Sequence, residues 1–100
     1  MFTTKSISGK TIRLPEERWV HIVERHPEMA GSMEDVLLAV AVPDFVLMGG
    51  DDELLAATYH YKEKLLVVVY KEDENDGFII TAFLTSKTDK LLKRKILWQK

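Results

Sequence analysis

Leu65-Leu66-Val67-Val68-Val69-Tyr70-Lys71 is the stretch on which the fold turns. Its apolar run is too short for an ordinary helix and rich in β-branched side chains, which predicts a strand buried on both faces. A strand of that kind needs neighbours. Leu54–Tyr61 precedes it across Lys62-Glu63-Lys64, and Phe78–Thr85 follows it across the acidic turn Glu72–Gly77. Short connections of this sort predict antiparallel partners. Asp44–Met48, ending in Gly49-Gly50, supplies a fourth strand, and Thr11–Leu14 reads as a short extended segment.

Upstream of the strands the period changes. Trp19, Ile22, Val23 and His26 recur at i, i+3, i+4 and i+7, one stripe of a helix. Pro15 suits the first position of that helix, Glu16 and Glu17 suit its dipole, and Pro27 ends it near His26. Ser32 with Asp35 resembles a capping box, opening a second helix that runs to about Ala41 and stops at Pro43. The expected fold is α+β, a single domain over residues 1–100. Two N-terminal helices pack on a four-stranded antiparallel meander, and residues 87–100 form a short C-terminal helix or an edge strand. Strict alternation along the last strand turns Phe78, Ile80, Ala82 and Leu84 toward the helices. It turns Ile79, Thr81, Phe83 and Thr85 away, leaving Ile79 and Phe83 to be covered by a partner or by the segment carrying Trp98.

Composition narrows the function classes. The chain has no cysteine, which excludes disulfide scaffolds, thiolate catalysis and zinc ribbons and fits a reducing cytoplasm. The N-terminal residues form no signal-peptide core, and no apolar run is long enough to span a membrane. Residues 87–100 set six cations (Lys87, Lys90, Lys93, Arg94, Lys95, Lys100) against Asp89, a net +5, so residues 1–86 carry −7 of the total −2. Such a segment either contacts phosphate or forms a solvated helix face.

Arg18, His21 and Arg25 fall in one sector of the first helix. A histidine between arginines is disposed to be a neutral base beside cations that hold an anion. The alternative is that the arginines pair with Glu17, Glu24 or Glu28 and His21 is only solvated. His26, inside the apolar stripe, is either a local structural histidine or a second catalytic imidazole. His21, His26, Glu28 and His60 are metal-ligand types, but the i, i+5 spacing of the two helical histidines turns them apart, and no metal or other cofactor is expected.

Residues 18–28, then Pro43-Asp44-Phe45-Val46, Leu65–Tyr70 and Phe78-Ile79-Ile80-Thr81-Ala82-Phe83 resemble, in that order, a group of small prokaryotic and phage-associated proteins. That group is similar to the barnase–EndoU–colicin–RelE superfamily of RNase folds, and the BrnT-type toxins share its helix, helix, meander order. The resemblance implies a metal-independent endoribonuclease acting by 2′-hydroxyl attack. It implies catalytic roles for His21, Arg25, His26 and Thr81, and substrate contacts from Arg18, Ser86 and Lys87. Expected partners are RNA, an antitoxin or immunity-type protein, and a second copy as homodimer. The competing class is a catalytically inactive relative that binds protein or RNA.

Overall fold

Ile12 and Leu14, alternating with Thr11 and Arg13, have no measurable exposure, so the second short strand is a core element and not a connecting segment. The structure, a computed structural model, describes residues 1–100. Strands β1 (Phe2–Lys5) and β2 (Thr11–Leu14) form a hairpin, followed by α1 (Glu16–Arg25), a 3₁₀ turn at Pro27–Met29 and α2 (Met33–Ala41). Strands β3 (Phe45–Met48), β4 (Leu54–His60), β5 (Lys64–Glu72) and β6 (Asp76–Thr85) come next, then the short α3 (Thr88–Leu91) and β7 (Ile96–Gln99).

The expected four-stranded antiparallel meander under two helices is therefore corrected. The sheet is seven-stranded and mixed, in the order β1-β2-β6-β5-β4-β3-β7, and it carries three α-helices. Two edges make the difference. β2 lies parallel to β6, Thr11–Arg13 against Asp76–Phe78, a long-range pairing that no local signal announces. β7 pairs antiparallel with β3 at the opposite edge, so residues 87–100 contain both a helix and a strand. Between these edges β3, β4, β5 and β6 each pair antiparallel with the next.

Both sheet faces are covered. On one, α1 and α2 bring Ile22, Val36 and Val40 onto Ile12, Ala56, Val68, Tyr70 and Ala82. On the other, Phe45, Leu47, Leu55, Leu65, Val67 and Val69 pack together under Ile80, Phe83, Leu91 and Leu92. Leu65–Tyr70 feeds both layers and is buried throughout, as its continuous apolar run requires.

Two local expectations fail for identifiable reasons. The β5–β6 register shifts between Val69 and Tyr70, so Val69 faces Thr81 while Tyr70 faces Ile79. Ile80 is the extra residue of a β-bulge, and a one-residue slip reverses the faces before it. Ile79 thus joins the helix-side core at 1% exposure, while Ile80 packs on the far face and Phe78 is exposed. Ser32 does precede α2, but its side chain makes no capping bond; its carbonyl accepts from the Val36 N–H at 3.0 Å. No helix is long and apolar enough to cross a membrane.

Candidate functional site

Beyond the bulge, β6 alternates regularly and sets Thr81, Phe83 and Thr85 on the face away from α1 and α2. After Thr85 the chain turns back over that face. The Lys87 N–H donates to Thr85 Oγ1 at 3.0 Å, starting the turn that becomes α3. Leu91 and Leu92 point inward onto the far-face core, so the lysines around them are left outside. Arg94 secures the end of the segment, its guanidinium donating to the Met48 carbonyl at 3.2 Å. The Met48 N–H in turn donates to the Lys95 carbonyl at 2.9 Å.

This path encloses a cleft of about 480 Å³ between Phe83 and Thr85 of β6 and Lys87, Lys90, Leu91, Lys93 and Arg94. Four of these seven residues are cations, none is an acid, and none of the four is ion-paired with a carboxylate. An aromatic floor under unpaired cations suits an anion that carries a flat ring.

His26 approaches the same aromatic side chain from the edge of the sheet. β2 pairs with β6 only as far as Phe78, so the later part of β6 has no strand on that side. The end of α1 and the following 3₁₀ turn occupy the gap. His26 closes α1, its N–H donating to the Ile22 carbonyl at 2.7 Å, and its ring is tilted 36° on Phe83 with centroids 5.8 Å apart. Nδ1 stands 3.7 Å from Glu28 Oε2, and the side chain is 33% exposed. Nε2 is then the ring nitrogen left for a ligand.

The expected site residues divide into two groups. Arg18 and His21 line a different depression of about 310 Å³, with Pro15 and Glu17 near the start of α1. Arg25 is exposed and makes no ion pair. His26 is joined to Phe83, Thr81 lies on the same strand face as Phe83, and Lys87 walls the cleft with exposed Ser86 beside it. Sequence reasoning gave no individual site role to Phe83, Thr85, Lys90, Lys93 or Arg94. The signal for the cations was their excess in residues 87–100, but only the fold-back of α3 places them over β6. No three His, Asp or Glu side chains converge as a set of metal ligands.

Comparison with protein-family models, curated proteins and solved structures finds no match to this chain.

Proposed function

We propose that this chain binds single-stranded RNA in the cleft of β6 and α3, and cleaves it without a metal ion. The observation that carries the reading is the group of four unpaired cations around Phe83, with the His26 imidazole packed on the same ring. Cations that no carboxylate neutralises are free to exchange counterions for phosphates. Phe83 offers a face to a nucleobase. The resemblance of residues 18–28 and 78–83 to RNase folds supports the same direction.

In the reaction, His26 Nε2 takes the proton of a ribose 2′-hydroxyl and the 2′ oxygen forms a bond to the adjacent phosphorus. The bond from phosphorus to the 5′ oxygen breaks, and that oxygen takes a proton from water. The products are a 2′,3′-cyclic phosphate and a 5′-hydroxyl. Lys87, Lys90, Lys93 and Arg94 offset the charge on the five-coordinate phosphorus. An antitoxin-like inhibitor is the protein partner that such an activity would call for.

The test is incubation with single-stranded and hairpin RNAs, with and without EDTA. Cleavage to cyclic-phosphate ends should persist in the chelator. It should fall by about 10²–10⁴ in His26→Ala, the range for one acid–base group, and survive in His21→Ala. Loss in His21→Ala with retention in His26→Ala would move the chemistry to the other depression and overturn this assignment.

A second reading has its own observation. Only one imidazole reaches Phe83, because His21 and Arg18 line a separate depression. A domain that binds RNA without cutting it fits that division, and predicts saturable binding with no products at high protein concentration.

A further inference from the structure

We infer that Glu28 is a positioning residue for His26, holding the imidazole in the tautomer that carries its proton on Nδ1 and leaves Nε2 free for a substrate. The catalytic consequence rests on the RNA-cleavage reading; the tautomer itself does not. A neutral imidazole has one protonated nitrogen and one lone pair, and the hydrogen bond made by either nitrogen decides which is which. In water, without such a bond, the Nε2–H form is the commoner one. It has no lone pair at Nε2 and takes no proton there. A base at Nε2 therefore needs an acceptor beside Nδ1.

The structure supplies one. Glu28 Oε2 stands 3.7 Å from Nδ1 and belongs to the one carboxylate in ion-pair reach of the ring. That carboxylate is not committed elsewhere: the arginine partner that the sequence allowed for it is not formed, since neither Arg18 nor Arg25 makes an ion pair. The backbone keeps the two side chains together. Pro27 opens the 3₁₀ turn, the Met29 N–H donates to the His26 carbonyl at 2.9 Å, and Met29 is buried in the helix-side core. Glu28 thus lies between a residue of fixed φ and a core anchor. Phe83 packs on the imidazole from the sheet, but it offers no acceptor and does not distinguish the two nitrogens. The 3.7 Å separation is longer than a hydrogen bond, as is common for catalytic contacts in an empty site, and a side-chain movement of about 1 Å closes it.

The contact strengthens as the reaction proceeds. When the ribose 2′ oxygen gives its proton to Nε2, the ring keeps its Nδ1 proton and becomes an imidazolium, and Glu28 stays a carboxylate. The attraction is then larger in the transition state than before it, which raises kcat and not affinity. For RNA binding alone a carboxylate near phosphates is unfavourable. A merely electrostatic part for Glu28 therefore predicts that its removal tightens RNA binding and leaves kcat alone, whereas positioning predicts that kcat falls.

The first arm of the test needs no RNA. Nitrogen-15 spectra of the imidazoles in the full chain, recorded about two pH units above an ordinary imidazole pKa, report which nitrogen carries the proton. His26 should be mainly Nδ1–H, while His21 and His60, with no carboxylate in ion-pair reach, should show the Nε2–H form. Glu28→Ala should return His26 to Nε2–H, and Glu28→Gln, which keeps an acceptor, should not. In the second arm Glu28→Ala should lower kcat for RNA cleavage about 10–100-fold, the range for a residue that orients a functional histidine, without raising KM. Glu28→Gln should recover part of that loss. An Nε2–H majority at His26 in the wild type, a tautomer unchanged in Glu28→Ala, or cleavage by Glu28→Ala at the wild-type kcat would overturn the inference and leave the RNase reading standing. A wild-type chain that cuts no RNA would overturn the RNase reading instead, and the nitrogen spectra would still decide whether Glu28 sets the His26 tautomer.

Discussion

Neutralising one cation of the cleft should change the salt dependence of RNA binding by a calculable amount. Lys90 lines the cleft with Lys87, Lys93 and Arg94, and none of them is engaged by a carboxylate. For single strands the slope of log K against log salt is about −0.7 per phosphate neutralised, so four cations predict a slope of about −2.8. Raising salt from about 50 to about 200 mM should then cost about 50-fold in affinity. Lys90→Gln should reduce the slope to about −2.1 and the loss over the same interval to about 20-fold. Fluorescence anisotropy of a labelled, unstructured RNA across that salt range measures both quantities, using a sequence that is not cut or a 2′-deoxy analogue. Lys5→Gln is the control. Lys5 pairs with Thr11 and Thr11 with Asp76, while Thr85 lies nine residues further along β6, about 30 Å away. A wild-type slope shallower than about −1, or an equal change in Lys5→Gln and Lys90→Gln, would refute the cleft as the phosphate-binding surface.

Three further predictions concern stability. Gly77 is buried between Glu72 of β5 and Ile12 of β2, and a Cβ there would strike the Lys71 carbonyl and lie 2.9 Å from Ile12 Cδ1. Gly77→Ala should therefore cost about 2–3 kcal/mol and lower Tm by about 10 °C or more, and a Tm within about 2 °C of wild type would count against this register. The Asp73 carboxylate accepts the Asp76 N–H at 3.0 Å and the Asn75 N–H at 3.3 Å, and these bonds, with Arg13 nearby, hold it below the usual carboxylate range. Its contribution is present above the unfolded-state value and is lost as pH falls through the lower folded one. Asp73→Asn should thus be less stable than wild type at neutral pH, with the gap closing below about pH 4 in urea titrations; a constant gap would refute the linkage. Burial, reinforced by the charge of Glu72, raises the Tyr70 hydroxyl above its ordinary value. The unfolded chain then ionises first as pH rises past about 10, so wild type should lose stability there faster than Tyr70→Phe, and parallel alkaline limbs would disprove it.

The sequence alone determined what depends on neighbours along the chain. The apolar run Leu65–Tyr70, short and rich in β-branched residues, reads as a buried strand, and Pro15, Pro27 and Pro43 punctuate the helices because proline restricts its own and the preceding backbone. The cationic excess of residues 87–100 was likewise visible as composition. Tertiary structure decided the rest, because pairing partners and register are settled by competition among distant segments. Ile12 and Leu14 find their place only when β2 lies beside β6, more than sixty residues later in the chain. The bulge at Ile80 reverses the faces of Phe78 and Ile79, a shift that alternation cannot foresee because one unpaired residue resets the period. The same holds for the candidate site. Helical periodicity grouped His21 with Arg18 and Arg25 and left His26 in the apolar stripe. His26 meets Phe83 because β2 stops short along β6 and the end of α1 fills the open edge, and the lysines meet that ring because Leu91 and Leu92 draw α3 onto the sheet. Burial of apolar surface is non-directional, so which polar groups are brought together is known only once the packing is.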